Sequence, residues 1–571
     1  MSRRIVVVGG VALGSKAACR AKRMDPKAEV YLIDRDEYVS YGGCGIPFYI
    51  SGDVSDVSEL RSTSFHMIRD ERFFLKDKGV IVMTGTEVVA VDRQAKQVDI
   101  KRKDGTADTL SYDKLVLATG TTPRKLNLPG EDLENVYTVA NLHDAVAIKQ
   151  KMIDGSIEKA VVVGGGFIGL EMAEALADMW EIETSVVEVF DQIMPGFVSP
   201  SLAKMAQTCL EKNGVKIYTS EKVSAIIGDG SVSSVKTDKR TLEADMVIMA
   251  VGVVPNTALA KSIGLDITPQ GWIVVNDHMQ TSDPNIYAGG DCAAVKNLIT
   301  GELGSYPLGS MANRQGRVIG TNIAGGEGHF DGAVGSWVVK IFDSALAGAG
   351  VTVDKARAAG FDAVGIQVAQ FDRAHFYIEK EVIFLELVVD CKTRKVLGIQ
   401  GYGGKDSGMV GRINAVAPLL KYKPEVEEIS NLELAYSPPF SSAMDIINAL
   451  GNAASNYLDG RYRFITMEEF NKCWEDRESG KTFFLDCRAN ADAQPFEDKY
   501  PGIWKSIPHD QLVDRMDEVP KDKKLVLICN TGVRSYETQL NLNEHGITDN
   551  VNTGAGMAGL KTWGIDFELD Q

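Results

Sequence analysis

Histidine is scarce, with 7 in 571 residues, and the eight cysteines include no Cys-x-x-Cys pair. Neither a structural zinc site nor a secreted disulfide framework is indicated, and a reducing, cytoplasmic compartment fits. No stretch approaches the ~18 uncharged apolar residues of a membrane span. The run from Ile5 to Leu13 behind Met1 to Arg4 imitates a secretory leader, but it reads as a buried strand entering a glycine turn. Positive charge is also short: 61 Lys and Arg against 78 Asp and Glu give a net charge of -17. That balance argues against a nucleic-acid surface and leaves room for a local basic pocket. The expected partners are small molecules.

What the chain has is length and glycine. Its 571 residues imply roughly three or four domains of ~150 residues, and 56 glycines suit an α/β protein with several nucleotide loops. The β-branched run Ile5 to Val8 leads into Gly9-Gly10-Val11-Ala12-Leu13-Gly14 and an alanine-rich helix from Ser15 to Met24. Strand, glycine turn and helix form a dinucleotide unit, in which the helix start offers unpaired N–H groups to a pyrophosphate. Asp34 closes the next strand, 20 positions after Gly14, where a carboxylate can accept both hydroxyls of a ribose. Val11 occupies the middle-glycine position, so this copy departs from the strict pattern. The second copy is complete: Ala160 to Val163 precede Gly164-Gly165-Gly166-Phe167-Ile168-Gly169, and Glu188 closes the following strand 19 positions after Gly169. An acid there suits an unphosphorylated ribose and predicts NADH in preference to NADPH. Two such units predict a flavin in the first and a nicotinamide in the second.

Between and after them stand Ala118-Thr119-Gly120 and the segment Thr281 to Asp291, and Cys44 lies in Ser40-Tyr41-Gly42-Gly43-Cys44-Gly45-Ile46-Pro47. With these motifs, residues 1 to about 450 resemble the flavoprotein pyridine nucleotide–disulfide oxidoreductases. The resemblance implies FAD held at Gly9, Gly10, Gly14, Asp34, Ser40, Ala118, Thr119, Gly120 and Asp291, and NAD held at Gly164, Gly166, Gly169 and Glu188. Cys44 has no second cysteine four or five residues away, so its segment is similar to the single-cysteine branch: coenzyme A–disulfide reductases, NADH persulfide reductases and the related NADH oxidases and peroxidases. Gly43 stands where that branch has asparagine. Residues 325–450 resemble the family's dimerisation domain, in which Tyr436 inherits a role reaching towards the partner's cysteine; Tyr377, in a poorly matched segment, is the second tyrosine. Arg20, Lys22, Arg61 and Ser40 are the candidate substrate contacts, with coenzyme A as an implied carrier.

The polar stretch Asn452 to Arg463 reads as a linker. Beyond it, Asp486-Cys487-Arg488 and Cys529-Asn530-Thr531-Gly532-Val533-Arg534-Ser535 each follow a buried strand, and residues 461–571 resemble a rhodanese domain. The loop from Cys529 to Arg534 and the helix after it, Ser535 to His545, would aim N–H groups at the sulfur, with Arg534 beside it. Cys473 and Cys487 read as packing cysteines. The expected fold is therefore α/β throughout, with an α+β dimerisation domain: FAD domain 1–120 with 250–324, NAD domain 121–249, dimerisation domain 325–450, and α/β rhodanese-like domain 461–571. The expected protein is a homodimeric, NADH-dependent flavoprotein reducing persulfide, polysulfide or coenzyme A disulfide through Cys44, with Cys529 handling sulfur. Two alternatives stand beside it: an NADH oxidase or peroxidase cycling Cys44 through sulfenic acid, and a redox-responsive binding flavoprotein.

Overall fold

The computed structural model describes residues Ser2–Leu569. They form two compact units, one running to Val189 and resuming over Ser220–Ala333, the other comprising Phe190–Thr219 and everything from Val334 on.

The first unit holds two parallel sheets built the same way. In one, Arg4–Val8 lies between Glu29–Ile33 and Lys114–Leu117, with Ile81–Met83 and Ile286–Ala288 at the edges. Ile5, Val6 and Val7 are fully buried, as expected of a central parallel strand covered on both faces. In the other, Lys159–Val163 lies between Glu183–Val187 and Met246–Met249, and Val136–Tyr137 extends the ladder. Ile286–Ala288 returns to the first sheet after the chain has completed the second. Thr121–Pro123 pairs antiparallel with Val253–Pro255, so the outgoing and returning chains run as a two-stranded ribbon. No helix among the described residues is long and apolar enough to cross a membrane.

The second unit contains a five-stranded antiparallel sheet in the order Trp337–Ile341, Ser344–Gly350, Val396–Gly404, Val382–Asp390, Ala363–Phe371. It also contains a five-stranded parallel sheet in the order Phe464–Ile465, Asn550–Thr553, Lys524–Ile528, Thr482–Asp486, Trp504–Ser506. One expectation is corrected here. Asn452 to Leu458 is not linker but the second half of the helix Ile446–Leu458. Asp445 caps that helix by accepting from the Ile447 amide, and Ile446, Leu450 and Ala454, spaced one turn apart, bury its inner face. The polar residues that suggested a linker occupy its outer face. The helix Pro200–Lys212, expected within the NAD domain, clusters with this second unit.

Candidate active site

Each glycine loop of the first unit is shaped by a close approach. Gly9 has φ +101°, and a Cβ there would sit 2.1 Å from the Ala118 carbonyl oxygen; its counterpart Gly164, at φ +108°, faces the Ala250 oxygen at 2.4 Å. Gly14 and Gly169 lie so close to the carbonyls of Gly9 and Gly164, at 1.8 and 1.9 Å from a notional Cβ, that no other residue fits. A Cβ on Gly166, by contrast, would meet nothing within 4 Å, which leaves open space at the start of the helix Phe167–Ala177. Neither that helix nor Leu13–Met24 has a side-chain cap or an acid in its first turn. Uncapped N–H groups beside such space fit a pyrophosphate.

The two strand-end acids do more than the sequence indicates. Asp34 accepts from the Gly10 amide at 2.6 Å and from the Asp36 amide at 2.8 Å, and burial raises its pKa. Glu188, 5% exposed, accepts from the Gly165 amide at 2.7 Å. Each carboxylate therefore pins its own glycine loop. Thr119 donates its hydroxyl to the Asn256 carbonyl and accepts the Asn256 side-chain amide at its own carbonyl, fastening the Ala118-Thr119-Gly120 segment to the returning chain. Asp291 lies on the short turn Gly290–Cys292, and burial pushes its carboxyl up to about 6. A hydroxyl-rich ligand donating to it would satisfy that group.

Cys44 is a free, exposed thiol on the turn Gly43–Gly45, which runs directly into the helix Ile46–Ser51. Ser40 holds left-handed backbone at φ 53°, and its amide donates to the Gly10 carbonyl, tying the cysteine segment to the first glycine loop. The Cys44 sulfur lies 3.5 Å from a Cβ built on Gly309, the first residue of the helix Gly309–Ile323. Further along that helix, buried Gln315 accepts from the Gly290 amide at 2.7 Å. One helix therefore touches both Cys44 and the segment carrying Asp291. Sequence reading missed Gly309 and Gln315, since nothing local in the chain announces either.

Of the substrate candidates, Arg61 stacks over the Tyr38 ring at 4.4 Å and its buried Nε has no hydrogen-bond partner. Arg20 donates Nε to the Thr321 hydroxyl, and desolvation, with Arg317 and Arg23 nearby, lowers its pKa. Lys22 gives one of its ammonium's three donors to the Ala28 carbonyl at 2.7 Å.

The remaining candidates belong to the second unit. Tyr436 is half-exposed and Tyr377 partly buried; their segments are joined by the Ala374 amide donating to the Pro438 carbonyl. Phe376, Ile378, Phe440 and Met444 around them are all exposed. Cys529 is buried at the end of the strand Lys524–Ile528; its sulfur accepts from the Gly532 amide at 3.1 Å, with the Ser535 hydroxyl 3.3 Å away. Arg534, in the first turn of the helix Val533–Glu544, is partly buried. Asp486 and Arg488 form a buried ion pair at 2.7 Å, braced by the Trp504 indole N–H.

Paired dinucleotide folds joined by a two-stranded ribbon, with one exposed thiol in the first, fit a two-nucleotide oxidoreductase. Residues 3–316 match the model of the pyridine nucleotide-disulphide oxidoreductases and residues 337–446 that of their dimerisation domain, so the chain belongs to this family. It is 34% identical over 458 residues to an NADH oxidase of Methanocaldococcus jannaschii, covering 80% of this chain and 100% of that protein. It is also 34% identical over 445 residues to the NAD(P)H coenzyme A polysulfide/persulfide reductase of Pyrococcus horikoshii, covering 78% of this chain and 97% of that one. Among solved structures, the NAD-dependent persulfide reductase from A. fulgidus superposes with a TM-score of 0.92 at 36% identity, over 97% of this chain and 99% of that one. The reduced Bacillus anthracis CoADR-RHD does so at 0.89 and 31%, over 99% and 98%. Both structural matches extend through the C-terminal parallel sheet.

Proposed function

We propose that the protein is an NADH-dependent flavoprotein that reduces persulfides, polysulfides or coenzyme A disulfide at Cys44, with Cys529 carrying transferable sulfur. The observation that carries the reading is the exposed, unpartnered Cys44 beside the helix that also anchors the Asp291 segment. The domain assignment travels with it: FAD on 1–120 with 250–324, nicotinamide on 121–249, dimerisation through 325–450 and sulfur handling on 461–571. Bound flavin supplies the relay of two electrons from NADH to sulfur. The chain's own residues do the rest. Asp34 and Glu188 hold the loops that receive the two pyrophosphates. Cys44 attacks the substrate's S–S bond as a thiolate, expelling thiol or sulfide. The uncapped first turn of Gly309–Ile323 offers its positive end to that anion. Arg20, Lys22 and Arg61 are the cations available to a phosphorylated carrier such as coenzyme A.

The exposed apolar side chains around Tyr377 and Tyr436 support a homodimer in which Tyr436 approaches the partner's cysteine. Eight free cysteines support a cytoplasmic setting. The accessibility of Cys44 also favours a second reading, an NADH oxidase or peroxidase in which the thiol is oxidised to sulfenic acid. Anaerobic NADH turnover against coenzyme A disulfide, coenzyme A persulfide, polysulfide and peroxide, with oxygen as a separate arm, distinguishes the two. Faster turnover with peroxide or oxygen than with every sulfur substrate would overturn the reductase reading.

A further inference from the structure

Cys487 is not used in the function proposed above, yet the sheet sets it beside Cys529. The strands Thr482–Asp486 and Lys524–Ile528 pair in parallel with Thr482 opposite Lys524 and Asp486 opposite Ile528. One residue further, Cys487 faces Cys529, and the Cys487 amide continues the ladder by donating to the Ile528 carbonyl at 2.7 Å. Register partners in a parallel ladder point to the same face. Here that is visible in the packing: Phe483, Leu485 and Cys487 share one buried cluster with Leu525, Leu527 and Cys529. Adjacent strands lie about 4.8 Å apart, inside the Cα separation of roughly 4.4–6.8 Å that a disulfide spans.

Both ends of the pair are held. The Cys529 carbonyl accepts from the Met557 amide at 2.8 Å while its sulfur is fixed by Gly532 and Ser535. Cys487 is clamped between Asp486 and Arg488, whose buried ion pair fixes the backbone on either side of it. Burial pushes the Cys487 thiol well above its ordinary pKa, so it waits beside Cys529 as a neutral thiol.

We infer that Cys487 is a resolving cysteine for Cys529, which discharges a Cys529 persulfide as sulfide and leaves a Cys487–Cys529 disulfide. The inference rests on the reading of Cys529 as the sulfur carrier. The terminal sulfur of Cys529–S–S⁻ takes the Cys487 proton, and the Cys487 thiolate so formed attacks the inner sulfur; the bond to the outer sulfur breaks, and that sulfur leaves as HS⁻ with the bonding electron pair. The proton of the Cys487 thiol ends on the departing sulfur, so Cys487–SH and Cys529–S–S⁻ give Cys487–S–S–Cys529 and HS⁻. The two cysteines are together oxidised by two electrons, and the sulfane sulfur is reduced by two. Two equivalents of a low-molecular-weight thiol restore the dithiol as they form their own disulfide. Sulfur would then leave this domain as sulfide without reaching the flavin, and a chain short of thiol would be locked with Cys529 unable to accept sulfur.

The test uses full-length Cys44→Ser protein, which silences the other thiol able to accept sulfur, loaded anaerobically with thiosulfate, freed of excess and left without NADH. The expected course is a mass gain of one sulfur atom, then its replacement by a loss of two hydrogens, with one sulfide released per chain and a Cys487–Cys529 crosslink in the peptide map. Adding Cys487→Ala should freeze the protein at the sulfur adduct with no sulfide. A persistent adduct in the parent, with Cys487 still open to alkylation, would overturn the resolving step alone. Absence of any adduct in both proteins would refute Cys529 as carrier, and the resolving step with it. Diamide treatment of the wild-type chain probes the pair without a persulfide: a mapped Cys487–Cys529 disulfide supports the inference, and an unlinked Cys487 overturns it.

Discussion

Glu188 supports a prediction in which charge and architecture can be separated. Its carboxylate is 5% exposed and receives the Gly165 amide at 2.7 Å. A 2′-phosphate on the ribose would therefore meet a fixed, nearly buried anion. Two unit charges ~4 Å apart at an effective dielectric of about 20 repel by about 4 kcal/mol, and residual solvent reduces that to roughly 2–4 kcal/mol. At about 1.4 kcal/mol per decade, kcat/KM for NADH should exceed that for NADPH by roughly 30- to 1,000-fold. Glu188→Gln keeps an oxygen for the Gly165 amide and removes the charge; most of the preference should vanish while NADH turnover stays within about threefold. Glu188→Ala also removes the loop's acceptor and should impair both nucleotides. Steady-state kinetics of the three proteins with both nucleotides, using one saturating sulfur acceptor, decide the matter. Equal kcat/KM in the wild type, or an unchanged ratio in Glu188→Gln, would refute the reasoning.

Three further outcomes are expected. Cys44→Ser should abolish reduction of every sulfur substrate while leaving NADH bleaching of bound flavin intact, and Cys529→Ser should remove thiosulfate-type sulfur transfer only; stopped-flow absorbance and sulfide assays read both. Tyr436→Phe should lower disulfide or persulfide turnover in a protein that sediments as a dimer, and a fully active monomer on dilution would contradict the assembly. Glu386 is buried and accepts from the Gln367 side-chain amide, and burial pushes its carboxyl up to about 7 from 4.5. The folded chain then holds a proton that the unfolded chain releases, so stability should be full below about pH 4.5 and fall as pH rises to about 7, by about 3 kcal/mol. Denaturant melts of Glu386→Gln should lose that slope and exceed the wild type at pH 8.

The parts legible in the sequence are those whose cause lies within about thirty residues. Gly9, Gly14 and Asp34, like Gly164, Gly169 and Glu188, are fixed by one strand–turn–helix–strand unit, so spacing alone locates them. The mistaken linker at Asn452 has the opposite origin: Asn, Ser and Gly dominate its outward face, and the buried stripe Ile446, Leu450, Ala454 starts before the stretch that looked polar. The charge of Lys22 is visible in sequence, whereas the Ala28 carbonyl that engages one of its donors is not. The contacts that bear most on chemistry are set by long-range packing. Gly309 reaches Cys44 across more than two hundred residues because the helix it begins packs against Leu13–Met24. Cys487 meets Cys529 only through the register of two parallel strands, and a one-residue slip would turn one of the sulfurs to the opposite face of the sheet. Sequence can nominate a thiol by its loop, as it does for Cys529, but a second thiol belongs to the same chemistry only when a register is known. Cys487 shows no loop motif of its own.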